Sequence, residues 1–256
     1  MPKKKKEKEE AAPAIGNASP DVVQLVHEVF MDEMQRMKVD LTGFNSQASL
    51  VERIAWALGM GMAIGAVLSR FSQKLQHSTT AQATECVTFG ARAMIYVPPE
   101  YVCVDEGMSG RKRRRDGLER ITAILKAKAV KALLVYKVSR LFRVGYRGFQ
   151  FFQEEVVDEG LRGISVSQGI DTRDEKTWKH LMYLHGMMDE MLIGTIGDHV
   201  RAGLKELASQ GYVTGALTVG YDRVPVPGAP LTNQGKPRCV PAPNPVFSER
   251  LNRHVR

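Results

Sequence analysis

The sequence predicts an α/β fold, with a mostly parallel sheet of about four strands flanked by helices and followed by one long helix. Three observations carry that prediction. Short continuous apolar runs (Met62–Ser69, Tyr101–Val104, Ala132–Tyr136 and Gly163–Val166) have the length and composition of buried parallel strands. Stretches with helical spacing separate them, as strand–helix–strand crossovers require. An apolar stripe then continues from Trp178 to Gln210, well beyond the length of an average helix.

Taken in order, the first 19 residues are charged, then rich in Ala, Pro and Gly. They read as a solvated tail, with an import-like signal or a DNA-touching arm as alternatives for Lys3–Lys6. Ser19-Pro20-Asp21 is a helix start, followed by Val22, Val23, Leu25, Val26, Val29, Phe30 and Met34 at near-helical spacing. A turn at Leu41–Asn45 precedes a second helical stretch over 46–58. The uncharged run Ile54–Ser69 has 16 residues, short of the ~20 that span a bilayer, and reads as a buried helix end followed by a strand. Further helices are expected over 81–91, 118–128 and 148–159. In the second of these, Leu118, Ile121, Ile124 and Leu125 share one face. Gly211 is a plausible stop for the long helix. The stripe on that helix suits a subunit interface as well as core packing. The organisation expected is an N-terminal extension over 1–60, the α/β domain with its long helix over 61–210, and over 211–256 a Pro/Gly-rich, extended or loop-like segment that reads as the start of a truncated C-terminal region.

Composition excludes whole classes. With 43% hydrophobic and 25% charged residues in 256, the chain is neither mainly disordered, nor a coiled coil, nor a disulfide mini-protein. Cys86, Cys103 and Cys239 form no metal-like pair, and their sparse, odd count fits a reducing cytoplasm. The net charge is +8, yet 13 Lys/Arg against two acids between Arg111 and Arg147 make that segment +11 and leave the rest slightly acidic. A basic block in an otherwise balanced chain points to a polyanionic partner, nucleic acid first.

In open parallel sheets functional groups gather at the carboxyl ends of the strands. Here those ends are Arg70–Ser72, Asp105–Gly110, Lys137–Arg143 and Ser167–Thr172. Singly each is weak. A serine beside an arginine is usually a helix cap, and arginines three apart are usually surface solvation. As an ordered set they are specific. Arg70-Phe71-Ser72 precedes Ser78-Thr79-Thr80-Ala81-Gln82. Then come Cys103-Val104-Asp105-Glu106-Gly107-Met108-Ser109-Gly110 and Arg115-Asp116-Gly117-Leu118. A strand with Arg140-Leu141-Phe142-Arg143 follows, then Ile170-Asp171-Thr172, Arg201-Ala202-Gly203-Leu204 and Val219-Gly220-Tyr221. Over about residues 62–223 the chain resembles the serine recombinases, the superfamily of resolvases, invertases and large serine integrases.

The resemblance implies a resolvase-like catalytic domain with a dimerisation helix, acting in DNA recombination, DNA integration or inversion, as in mobile elements. It implies Ser72 as the nucleophile on a DNA phosphodiester, with Arg70, Arg115, Arg140 and Arg143 around the phosphate and Ser78 and Gln82 in support. A covalent phosphoserine and a free 3′ hydroxyl would result. Guanidinium groups suit the task, since they stay protonated and donate paired hydrogen bonds to phosphate. Arg111, Lys112, Arg113, Arg114, Lys137 and Arg201 are the expected further DNA contacts. The implied partners are double-stranded DNA and a homodimer assembling to a tetramer. No metal, cofactor, membrane or small-molecule substrate is expected, and no general base is named.

Four positions depart from the family's habit. Ser139 stands where Asp commonly precedes the arginines, Lys131 where an acidic residue is frequent, and Leu68 where tyrosine is usual. Glu190 lies 13 residues before Gly203, where many relatives place a glutamate 11 before. Ser139 and the short C-terminal region motivate a second reading, a catalytically impaired or truncated remnant that binds DNA or partner subunits. Pro225–Arg256, with seven prolines, does not read as a helix-turn-helix, and Cys239 alone cannot make a zinc site. Salt-sensitive phosphate binding is therefore expected to outweigh sequence-specific recognition. An α/β nucleotide-binding enzyme is disfavoured, since no glycine-rich phosphate loop follows the first strand.

Overall fold

The computed structural model describes residues 16–70, 79–105, 115–142, 145–232 and 234–246. The run that ends at Arg70 forms strand β1 (Ala63–Arg70), whose six inner residues are all buried. Strand β4 (Ala132–Val135) pairs with it in parallel, Val135 opposite Leu68. On the other side β1 meets two strands in succession, β2 (Ile95–Tyr96) and β3 (Val102–Asp105), both parallel. Strand β5 (Arg162–Ser165) lies parallel to β4, and β6 (Ile170–Asp171) closes that edge antiparallel to β5. The sheet thus holds the four expected strands plus two of two residues each. Gly65 allows β1 this position, because a Cβ there would lie 2.6 Å from Ile95 Cγ2 and 2.9 Å from Leu134 Cδ1.

Crossover helices connect the strands: α3 (Thr79–Arg92), α4 (Asp116–Lys126), the four-residue α5 (Val138–Leu141) and α6 (Gly145–Phe151). The helix expected over 148–159 is α for its first part and π from Phe152 to Val157, which turns Phe152 and Val156 into the core. Leu68, Leu133, Leu134, Val135, Ile121 and Phe152 are fully buried and form the centre of the domain.

The N-terminal extension belongs to this core. Helix α1 (Pro20–Arg36) starts with proline in its first turn and buries Val22, Val26, Phe30 and Met34. Helix α2 (Leu50–Gly59) begins four residues later than its apolar spacing predicts. Ser49 and Glu52 form a reciprocal capping box that fixes the start, while Asn45 accepts from the Gln47 amide in the preceding turn. Phe30 packs edge-on against Tyr96 at 4.9 Å, and Glu33 pairs with Arg92 of α3 at 2.7 Å. Buried Arg53 of α2 bonds Glu100 and, at 2.9 Å, His27 of α1. Ahead of α1, Asn17 exchanges two hydrogen bonds with the backbone of Val104 (2.7 and 2.8 Å), covering part of the open edge of β3.

The chain divides into two compact units, one ending at Asp189 and one beginning at Glu190. The long helix α7 (Trp178–Ser209) belongs to both and ends at Gly211, whose φ of +82° suits the stop read from the sequence. Trp178 and Met182 are buried, whereas Tyr183, Leu184, Met188, Met191, Ile196 and Val200 are exposed. In the second unit, part of the segment expected to be extended or loop-like is strand. Strands β7 (Tyr221–Pro225) and β8 (Cys239–Pro243) form an antiparallel hairpin with Val224 opposite Val240. Both are edge strands, where a missing proline N–H costs nothing in the ladder.

Candidate active site

Because β1, β3, β4 and β5 run parallel, segments far apart in sequence leave the sheet at one edge. Arg70 closes β1, and its register partner across the ladder is Asp105, the last residue of β3. Arg70 and Arg140 are half-buried. Gln82, on the first turn of α3 and buried, accepts a hydrogen bond from the Arg70 backbone amide at 3.4 Å.

Asp105 organises the next part. Its Oδ1 accepts from the Gly117 amide at 2.8 Å, and its Oδ2 accepts from Arg115 Nε at 3.1 Å and Nη2 at 3.0 Å. Gly117 is required there, since a Cβ would fall 2.7 Å from Asp105 Oδ1 and 2.9 Å from the Val104 carbonyl carbon. Arg115 also donates to the backbone carbonyls of Leu141 and, at 3.4 Å, Arg140, and its guanidinium lies 5.3 Å from the Phe142 ring centroid. Most of its donors thus bridge β3 to α5, the helix that carries Arg140.

Lys137 Nζ reaches Asp189 of α7 at 2.9 Å. Arg201, on α7 in the second unit, is exposed and paired with Asp198 at 2.9 Å. Ser72, Ser78, Arg143, Arg111, Lys112, Arg113 and Arg114 lie outside the described residues, as does the loop from Glu106 to Gly110.

Cys103 is fully buried in β3. Burial pushes its thiol up to about 12, with Arg120 opposing and Asp105 adding to the rise, so it packs rather than reacts. Among the described residues there is no His/Cys/Asp/Glu group that could hold a metal ion, and no helix is long and apolar enough to cross a membrane. Sequence reasoning named neither Asp105 nor Gln168 as a site residue. Asp105 had a signal, an acid closing a strand before a glycine-rich loop. Gln168 had only its place in the strand-end segment Ser167–Thr172, because its burial arises when the turn after β5 folds against α5.

The sequence model described as "Resolvase, N terminal domain" matches residues 66–213, more than half of the chain. The protein belongs to the resolvase family of serine recombinases, and these residues correspond to the family's N-terminal domain. Among solved structures, the N-terminal catalytic domain of TP901-1 integrase is 21% identical, with a TM-score of 0.41 over 52% of this chain and 98% of that one. A resolvase family site-specific recombinase from Streptococcus pneumoniae is 22% identical, with a TM-score of 0.37 over 58% and 97%. The C-terminal catalytic domain of ISC1926 TnpA, an IS607-like serine recombinase, is 21% identical, with a TM-score of 0.34 over 40% and 70%. No curated protein matches the chain.

Proposed function

We propose that the protein cleaves and rejoins duplex DNA through Ser72. The serine oxygen attacks the phosphorus of a phosphodiester and gives up its proton. The bond from phosphorus to the 3′ oxygen breaks, and that oxygen leaves as a hydroxyl after taking up a proton. The 5′ phosphate stays on the serine, and attack by another 3′ hydroxyl reverses the step. Negative charge on the transferring phosphate must be met in the transition state, and arginines Arg70, Arg140 and Arg143 are the cations assigned to it, with Arg115 beside them. Ser78 and Gln82 support the site, and Arg111–Arg114, Lys137 and Arg201 are assigned to the flanking DNA backbone.

The observation that carries this reading is the shared sheet edge, where Arg70 stands in register with Asp105 and Asp105 holds Arg115 against the Arg140 helix. The exposed apolar residues along α7 support assembly, first as a homodimer and then as a tetramer on DNA. The test is incubation with a pool of supercoiled plasmids carrying randomised inserts, followed by denaturing recovery of protein–DNA adducts. Adducts that require Ser72 support the reading.

A second reading has one specific observation in its favour. Arg115 is already committed to Asp105 and two carbonyls, as in a scaffold that binds DNA without cutting it. That reading predicts DNA binding and dimerisation with no adduct at any insert.

A further inference from the structure

The short helix α5 is the platform for Arg140, and four residues cannot hold their own geometry in water. The turn that follows β5 supplies the hold. Gln168 is 8% exposed, and its Oε1 accepts from the Val138 amide, the first of α5, at 2.7 Å. The same oxygen accepts from Ser165 Oγ at 2.7 Å, which aims it. Beside it, the Ser167 amide and hydroxyl both donate to the Tyr136 carbonyl, at 2.9 and 2.7 Å. The carbonyl before Lys137 and the amide after it are thus both fastened to one turn, while Lys137 itself is tied to Asp189. Arg115 holds the other end of α5 through the Arg140 and Leu141 carbonyls.

We propose that Gln168 is a positioning residue: by accepting from the Val138 amide it sets the rotation of α5 and therefore where the Arg140 guanidinium meets the DNA phosphate. This rests on the recombinase reading for the phosphate, and on the hydrogen-bond geometry alone for the hold on α5. The acceptor satisfies a buried amide in either case, and the rate of adduct formation separates positioning from stability alone. Misplacing a catalytic group by about 1 Å costs on the order of 10²-fold in rate.

The experiment compares Gln168→Met, which keeps the side-chain length without the acceptor, with Gln168→Glu, which keeps an acceptor oxygen, and with Ser167→Ala at an exposed position. Two quantities are read on the full chain: amide hydrogen exchange at Val138 and Arg140, and the single-turnover rate of adduct formation on the plasmid pool at saturating protein. Gln168→Met is expected to speed exchange at Val138 at least tenfold and to slow adduct formation roughly 10²-fold, with DNA affinity unchanged. Gln168→Glu is expected to restore both to within a few-fold of wild type. Ser167→Ala is expected to slow adduct formation less than Gln168→Met while folding normally, which keeps a result in hand if Gln168→Met is unstable. Unchanged exchange at Val138 in Gln168→Met overturns the hold, and faster exchange with an unchanged adduct rate overturns the positioning role. If Gln168→Met does not fold, a Ser167→Ala variant with wild-type exchange and adduct rate overturns the proposal. A wild-type protein that forms no adduct overturns the recombinase reading instead, and the exchange measurement still decides whether Gln168 holds α5.

Discussion

The carboxylate of Asp105 lies 3.1 Å from Arg115 Nε and 3.0 Å from its Nη2, while its other oxygen accepts from the Gly117 amide. One acid therefore fixes both the end of β3 and the start of α4. Replacing it with alanine leaves a buried amide without an acceptor and a guanidinium without its counter-charge. Asp105→Ala is expected to cost about 2–3 kcal/mol, because the pair is only partly shielded from water. That corresponds to a fall in Tm of roughly 5–10 °C. Asp105→Asn keeps an oxygen for Gly117 and is expected to recover part of the loss. Thermal melts of both variants check this, and equal losses would contradict the division of labour between the two oxygens.

Gly117→Ala tests the same junction from the other side. Glycine-to-alanine changes inside helices normally stabilise, since glycine is a poor helix former by about 1 kcal/mol. Here the new methyl group meets Asp105 Oδ1 at 2.7 Å and the Val104 backbone at 2.9 Å. The expected sign is therefore reversed, with a loss of about 1–3 kcal/mol from overpacking. Urea unfolding measures it, and a gain in stability would show that β3 and α4 are less closely fitted.

His27 gives the extension a pH signature. Burial first and the neighbouring Arg53 charge second lower its pKa, against the opposing Glu100. The unfolded chain then binds a proton more readily than the folded one. Stability from this group is complete above about pH 6.5. It declines as pH falls from there toward the lowered folded value, and levels off below it. The urea midpoint should fall more between pH 7.5 and pH 5.5 in wild type than in His27→Gln. Identical falls would show that α1 and α2 do not bury this histidine.

The basic block makes a prediction about salt. If Arg111, Lys112, Arg113 and Arg114 lie on the DNA backbone, changing all four to serine makes log Kd less dependent on log[salt]. The expected change is about 0.9 in slope for each side chain that contacts phosphate. DNA-binding titrations from low to physiological salt measure this. An unchanged slope would place the block away from DNA.

How much of this was legible beforehand follows from the physics of each element. Ala132–Val135 and Ala63–Arg70 are buried on both faces, so they read as unbroken apolar runs and were found within a residue. The hairpin of β7 and β8 was not, because it is largely exposed and carries Pro225, Pro241 and Pro243, which remove the alternation that marks a strand. At two residues each, β2 and β6 are too short for any period. The convergence of the strand-end segments that hold Arg70, Asp105 and Arg140 was legible from the parallel pattern of strands, while Arg115 joined them only through the family resemblance. The engagement of Arg115 by two carbonyls and of Gln168 by the Val138 amide was not legible, since all three bonds join segments more than twenty residues apart through backbone atoms.

The central claim is that Ser72 is the residue that becomes bonded to DNA. The most direct measurement is peptide mapping, by mass spectrometry, of nuclease-trimmed adducts recovered from the supercoiled plasmid pool. The account predicts a nucleotide attached through phosphate to the peptide containing Ser72, and no adduct from Ser72→Ala at equal DNA occupancy. An adduct that persists in Ser72→Ala, or that maps to a different serine, would contradict it.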